Sequence, residues 1–181
     1  MTVRRVMGTE TEYAVSAPAV SHANPVQLSF DVIGAAAGPE RSRIRWDYRQ
    51  EDPVNDARGT RLERAAARPD MLTDEPQLNI VNVIAPNGGR VYVDHAHPEY
   101  SAPETTDPFE AVRYDHAGDL IMQAATERAR KQTGTPIALH RNNVDGKGSC
   151  WGTHENYMMA RSVPFLSLIH ISEPTRLRCI S

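Results

Sequence analysis

The sequence has few of the features that mark exported, membrane-bound or nucleic-acid-binding proteins. Among its 181 residues only Cys150 and Cys179 are cysteines, which argues against a disulfide framework and favours a reducing compartment. No apolar run is as long as a membrane span, and the amino-terminal residues lack the apolar core of a signal peptide. The formal net charge of −3 gives no basic stripe for nucleic acid. These absences predict a cytoplasmic protein that binds neither membrane nor nucleic acid.

The most informative stretch is RVYVDHAHPEYSAPE, where polar and apolar residues alternate. In an extended strand Arg90, Tyr92 and Asp94 project from one face, and the intervening valines project from the other. This combination is typical of a sheet that lines a polar cleft. Pro98 gives no donor to a β-ladder and interrupts the pleat, so we expect Glu99 to leave strict parity and turn toward the Asp94 side.

A second pair of carboxylates, Glu10 and Glu12, lies near the amino terminus with strand spacing and small neighbours. Alone, such a pair is typical of the solvated face of an edge strand. If it converges with Asp94 and Glu99, each pair about 4 Å apart would cost roughly 4 kcal/mol at an effective dielectric near 20, so a cation would be required. Oxygen ligands without clustered thiols favour Mg²⁺ or Mn²⁺ over zinc, and Mg²⁺ in such sites usually also holds phosphate.

The remaining patterns predict an α+β protein with an antiparallel sheet. Residues 40–77 have no sustained period, and we interpret them as a long loop that is either functional or disordered. The predicted elements are an opening strand that ends near residue 16, a helix over 25–37, a hairpin of strands from 78–84 and from 90 onward, a helix over 108–132, and strands over 137–142 and 150–159. The second helix is expected to face the core through Phe109, Val112, His116, Leu120 and Ala124.

The carboxy-terminal residues differ in kind from the rest. Residues 166–176 read LSLIHISEPTR, which resembles the conceptual translation of a transposase adaptor used in sequencing libraries. Agreement in register over this whole stretch makes coincidence implausible. We therefore interpret residues 166–181 as an assembly artefact and exclude them from fold reasoning.

Four separated motifs, MGTETEY, RWDYRQEDPVNDARG, RVYVDHAHPEYSAPE and NNVDGKGSCWGTHENY, closely resemble the Dop/Pup ligase family, which acts on the prokaryotic ubiquitin-like protein Pup. The resemblance implies a glutamine-synthetase-like fold, in which a curved antiparallel sheet with helices on one face cradles ATP, or ADP with phosphate, and Mg²⁺. It covers only about the amino-terminal third of a family member. Residues 1–165 are therefore expected to be the amino-terminal part of a catalytic domain whose fold is incomplete here.

The resemblance also implies roles for individual residues. Asp94 is implied to be the catalytic carboxylate, either as a nucleophile or as a base that activates water. The other implied contacts are Glu10, Tyr92 and Glu99 to Mg²⁺, Arg90 to the nucleotide phosphates, and Glu12 and His154 near the nucleotide. Without the resemblance, an isolated strand histidine such as His154 is more often structural.

The implied function is ATP- and Mg²⁺-dependent hydrolysis of a side-chain amide. Its substrates would be the carboxy-terminal glutamine of Pup and the isopeptide bond between Pup and a lysine of a pupylated protein. One alternative is the Pup ligase, but residues 45–59 resemble a loop that the deamidase has and the ligase lacks. A non-enzymatic module that binds nucleotide or Pup is a second alternative. A zinc hydrolase built on His95 and His97 is a weak third, because strand parity puts both imidazoles opposite Asp94.

Overall fold

The structure is a computed structural model that describes residues 5–37, 82–142, 152–160 and 162–163. The strands in these ranges are β1 (Met7–Glu12), β2 (Ala14–Ser16), β3 (Asn82–Ile84), β4 (Arg90–Asp94), β5 (His97–Ser101), β6 (Ala138–His140) and β7 (Thr153–Tyr157). The helices are α1 (Pro25–Ala36) and α2 (Pro108–Thr133). The predicted α+β class is confirmed. The predicted loop over 40–77, its segment 45–59 and the adaptor-like residues 166–181 lie outside the described residues.

The main sheet has five strands in the order β3-β4-β5-β1-β7, and every neighbouring pair is antiparallel. The predicted hairpin is present as β3 and β4, joined by a turn in which Gly88 has a φ of 87°. The opening strand was expected to be continuous, but it divides at Tyr13. Strands β1 and β7 stay in the main sheet, whereas β2 pairs with β6 in a separate two-stranded sheet.

The two faces of the main sheet differ, and we name them by their residues. The back face carries Thr11, Val91 and Tyr100, which are all buried. Both helices pack on this side, and α1 and α2 also contact each other. The front face carries the polar residues that alternate with Thr11 along β1 and with Val91 along β4. Removing the back-face side chains from water supplies the main stabilising term, about 1.5–3 kcal/mol for each fully buried aliphatic side chain.

The helix ends follow their sequence signals. The Asn24 side chain accepts a hydrogen bond from the backbone N–H of Val26 at 3.0 Å, and Asp107 does the same for Phe109 at 2.8 Å. Gly134 ends α2 in the left-handed conformation, with a φ of 69°. Neither helix in the described part of the chain is long and apolar enough to cross a membrane.

The predicted core-facing stripe of α2 is wrong. Phe109 is 78% exposed and Leu120 is 68% exposed, and His116 lies on the same solvent side. The buried positions of α2 are instead Gly118, Met122, Ala125, Thr126 and Ala129. A Cβ atom on Gly118 would clash with the ring of Tyr100. Because α2 approaches the sheet closely, most residues on its buried side are small. Hydrophobic periodicity alone therefore does not predict which side of α2 is buried.

Candidate metal and nucleotide site

The front face gathers the predicted site residues because β5 lies between β1 and β4. Glu99 is the register partner of Glu12 on one side and of Tyr92 on the other. Directly opposed residues of antiparallel strands project from the same face of a sheet. The structure thus brings together on one surface all of the predicted set: Glu10, Glu12, Arg90, Tyr92, Asp94, Glu99 and, from β7, His154.

Three carboxylates approach closely enough to share one ion. Glu12, Asp94 and Glu99 each offer an oxygen atom, and these atoms all lie within 4.8 Å of one another. Only hard oxygen donors are present in this triad, and such donors suit Mg²⁺ or Mn²⁺. The metal ligands implied by the family resemblance were Glu10, Tyr92 and Glu99. The two sets share Glu99, and the roles of all these residues stay predictions.

Glu99 carries most of the electrostatic cost of this arrangement. Its side chain is buried, at 4% exposure for the residue. Burial, with the negative charges of Glu10, Asp94 and Glu12, raises the pKa of Glu99 to about 7 although a hydrogen bond with Tyr92 acts in the opposite direction. A divalent cation would remove this cost by favouring the ionised carboxylate. The site therefore fits a cation on the basis of its own charges.

Tyr92 and Ser101 connect Glu10 to the rest of the cluster. The Ser101 hydroxyl lies 3.2 Å from the Tyr92 hydroxyl and 3.4 Å from Oε1 of Glu10. Burial raises the pKa of Tyr92, and the adjacent Glu99 carboxylate raises it further. The sequence interpretation did not single out Ser101. Its position across the sheet from Glu10, set by the β1–β5 register, is what places it in the site.

Arg90 provides a permanent positive charge near the acidic cluster. Its Nε donates to Oδ1 of Asn82 at 3.3 Å, and its guanidinium carbon lies 5.2 Å from the centre of the Tyr92 ring. Asn82 and the Tyr92 ring therefore support this side chain from β3 and from β4 itself. A supported guanidinium is suited to phosphate binding, because it presents several donors in a fixed plane.

Glu12 has both imidazole and backbone neighbours. Nδ1 of His97 and Nε2 of His154 each lie 3.8 Å from a Glu12 oxygen, and the backbone N–H of Gly152 donates to Oε2 at 2.6 Å. His154 was predicted, but His97 was missed. The parity argument that placed His97 opposite Asp94 was wrong, because the two residues are register partners and share the front face.

The turn between β4 and β5 explains this error. Glu99 does lie on the Asp94 side as predicted, but Pro98 is not the reason, because it remains within β5 opposite Val93. The chain reverses over His95 and Ala96, and a two-residue turn restarts the alternation of side chains. Recognising that turn in the sequence would have placed His97 in the site.

An open groove continues from the acidic cluster beside β1. Its volume is about 420 Å³, and Gly8, Glu10, Ser101 and Asn156 contribute to its lining from three strands. Apolar side chains complete it, among them those of Met7 and Met158. A groove with an apolar portion that meets a cluster of charged groups has the composition of a small-molecule site.

Comparison with known proteins identifies the class to which this chain belongs. Residues 5–172 match the family described as Pup-ligase protein, and the chain is a member of that family. Within the family it is 47% identical over 172 residues to the Pup deamidase/depupylase of Mycobacterium tuberculosis (strain CDC 1551 / Oshkosh), an alignment that covers 92% of this chain and 34% of that protein. A Pup--protein ligase from Kocuria rhizophila is 41% identical over 95 residues, covering 49% of this chain and 20% of the ligase.

The structural comparison supports the same fold. The chain is similar to a crystal structure of the complex between Prokaryotic Ubiquitin-like Protein Pup and its ligase PafA, with a TM-score of 0.61 and 23% sequence identity. The match covers 91% of this chain and 27% of the other. It confirms the predicted family fold. The chain spans about a third of the length of the curated deamidase/depupylase relatives that it matches.

Proposed function

We propose that this segment supplies the cation-binding and catalytic face of an enzyme that hydrolyses side-chain amides in the Pup pathway. The proposed reactions are deamidation of the carboxy-terminal glutamine of Pup and cleavage of the isopeptide bond between Pup and a lysine. The observation that carries the proposal is the convergence of Glu12, Asp94 and Glu99 from three strands, within 4.8 Å. It occurs in a chain that is 47% identical to a Pup deamidase/depupylase.

Exposure separates the proposed roles of the carboxylates. Glu99 is buried between Tyr92 and Glu12, which suits a ligand that holds Mg²⁺ from the interior of the sheet. Asp94 ends β4, and its side chain is 43% exposed, so a substrate can reach it. We therefore assign Glu99 to the metal and Asp94 to the reacting carbonyl, and the family resemblance adds Glu10 and Tyr92 as further metal ligands. Bound Mg²⁺ would supply positive charge for the developing oxyanion and for the nucleotide phosphates.

Two routes through Asp94 lead to the same products. In one, a carboxylate oxygen of Asp94 attacks the side-chain carbonyl, and the C–N bond breaks as water protonates the departing nitrogen, which leaves as ammonia or the lysine amine. The hydroxide left from that water then hydrolyses the anhydride and regenerates the Asp94 carboxylate. In the other, Asp94 takes a proton from water as that water attacks the carbonyl, and it then gives the proton to the nitrogen as the C–N bond breaks. Both routes consume one water and give a glutamate side chain and an amine. One site therefore serves deamidation and isopeptide cleavage.

We propose that ATP, or ADP with phosphate, lies against the same face. Arg90 would bind the phosphates, and Glu12 and His154 would contact the nucleotide from β1 and β7. Support comes from the groove of about 420 Å³, which joins the acidic cluster at Glu10 and Ser101. The similarity to a Pup deamidase/depupylase supports Pup and pupylated proteins as the partners. We propose that the reaction takes place in the cytoplasm.

The experiment that tests this function measures the consumption of ATP as well as the product. It uses the full-length protein, meaning this segment together with the remaining part that the curated relatives possess. Amide hydrolysis is downhill without coupling, whereas joining a carboxylate to an amine requires one ATP per bond. We expect ammonia release from Pup ending in glutamine, dependence on Mg²⁺ and nucleotide, and no matching consumption of ATP. Stoichiometric ATP cleavage with Pup–lysine conjugation would identify a ligase, and nucleotide binding without either product would identify a binding module.

A further inference from the structure

The turn that connects β4 to β5 places a histidine where the backbone favours glycine. Asp94 and His97 are register partners, so His95 and Ala96 alone reverse the chain. His95 has a φ of 54°, in the left-handed region that few residues other than glycine adopt, although asparagine, aspartate and histidine occur there more often than most. Two-residue hairpin turns commonly use glycine or asparagine at such positions.

The side chain of His95 contacts the carboxylate to which we assign the chemistry. Its Nδ1 lies 2.8 Å from Oδ1 of Asp94. An ionised carboxylate has no hydrogen to donate, so Nδ1 carries the proton and donates it to this bond. The imidazole is 73% exposed, and exposed pairs of this kind add little to folding stability. Stability therefore does not explain why a histidine occupies this position.

Strained backbone positions cluster at functional sites, where the surrounding structure holds them. Here the left-handed φ of His95 brings its imidazole beside Asp94. A hydrogen bond to Oδ1 limits rotation of the carboxylate and determines which oxygen is presented to a substrate. Asp94 ends its strand with an exposed side chain, so its orientation is less constrained by packing than that of the buried Glu99.

We propose that His95 is a positioning residue, which holds the Asp94 carboxylate through its Nδ1–H so that Oδ2 faces the scissile side-chain carbonyl. This inference rests on the proposed function of Asp94. It predicts that stability and turnover respond to His95 in opposite directions, because the histidine conformation is costly for the backbone and useful for the reaction.

The test compares two substitutions in the full-length protein. His95→Gly relieves the left-handed backbone and removes the donor, so we expect a melting temperature within about 2 °C of wild type or higher, while kcat falls about 10- to 100-fold. KM for Pup and the affinity for nucleotide should stay within about threefold, since His95 acts through Asp94. His95→Asn tolerates the same φ and offers a side-chain N–H in a similar place, so it should recover kcat to within about fivefold of wild type.

A matched control exists elsewhere in the chain. His22 has a φ of 61°, is exposed and lies in the loop that precedes α1. His22→Gly makes the same chemical change and the same relief of the backbone. We expect the melting temperature to respond as it does in His95→Gly, and kcat to remain that of wild type.

Each outcome decides the proposal. Wild-type kcat in His95→Gly overturns it, and so does a joint loss of melting temperature and kcat that His95→Asn does not recover. Measuring the single variants His95→Gly and Asp94→Asn side by side distinguishes this inference from the proposed function. If Asp94→Asn is inactive and His95→Gly is fully active, only the positioning role is wrong. If Asp94→Asn retains turnover, the proposed function of Asp94 is wrong as well.

Discussion

The two faces of strand β1 use carboxylates in different ways. On the back face, Asp115 and Asp119 of α2 are both bound by Arg141, with closest N–O distances of 2.8 Å and 2.6 Å. The hydroxyl of Tyr13, which lies between β1 and β2, also donates to Asp119 of α2 at 2.7 Å. A permanent guanidinium therefore offsets part of this negative charge within the protein itself.

On the front face three carboxylates lie together. Glu12, Asp94 and Glu99 converge within 4.8 Å, the imidazoles near Glu12 carry charge only when protonated, and Arg90 supplies the permanent positive charge near this cluster. Burial and neighbouring charges raise the pKa of Glu99 to about 7. The comparison shows that the sheet around β1 has charged contacts that stabilise the fold on one face. On the other face it carries carboxylates that repel one another. A divalent cation would relieve that repulsion.

The largest expected effect concerns Asp94. Asp94→Asn keeps the size of the side chain and removes its charge, so deamidation and isopeptide cleavage by the full-length protein should fall by at least about a thousandfold. Nucleotide with Mg²⁺ should still bind within several-fold of wild type, because Glu10, Tyr92 and Glu99 remain. A deamidation assay beside calorimetric titration with a non-hydrolysable ATP analogue measures both quantities. Loss of activity that merely follows loss of nucleotide binding would assign Asp94 to binding.

The next effect is the pH dependence of stability caused by Glu99. Its pKa is raised from 4.5 to about 7 on folding, so the metal-free folded state binds more protons between these values. Stability is therefore highest below the unfolded pKa and falls as pH rises through about 7, by about 3 kcal/mol from this group alone. Urea unfolding with a chelator, at about pH 5 and about pH 8, measures this loss. Glu99→Gln should remove it, and so should saturating Mg²⁺.

A smaller effect is expected on the back face. Arg141→Met leaves Asp115 and Asp119 without their shared guanidinium, and we expect the free energy of unfolding to fall by about 2 kcal/mol, a moderate value because these side chains are partly exposed. Turnover at temperatures well below the melting transition should not change. Replacing both aspartates by asparagine in the Arg141→Met background should restore most of the stability. A selective loss of turnover in Arg141→Met would show that the back face contributes to the reaction.

Local patterns in the sequence were sufficient to predict much of this arrangement. Alternation within RVYVD placed Arg90, Tyr92 and Asp94 on one face because a strand fixes the direction of successive side chains. The caps Asn24 and Asp107 were equally local, since each bonds to a backbone N–H two residues away. These features depend on a few consecutive residues and on no distant contact.

The features that were mispredicted depend on distant partners. His97 entered the site because β4 and β5 pair through a two-residue turn, which restarts the parity. The buried side of α2 was set by the approach of Gly118 to Tyr100, and the apolar periodicity of the helix predicted a different side. The composition of the carboxylate triad likewise follows from the register of β5 against its two neighbours, and alternation within one strand contains no information about that register.

The most direct test of the central claim is calorimetric titration of the full-length protein with Mn²⁺ at about pH 8, where Glu99 is largely ionised. We predict specific binding that weakens at least about tenfold in Glu99→Gln, because a buried ligand and its charge are lost. Binding should be unchanged in Glu127→Gln, which alters an exposed carboxylate on α2. Equal Mn²⁺ affinity in wild type and Glu99→Gln would contradict the claim that the front-face carboxylates form a cation site.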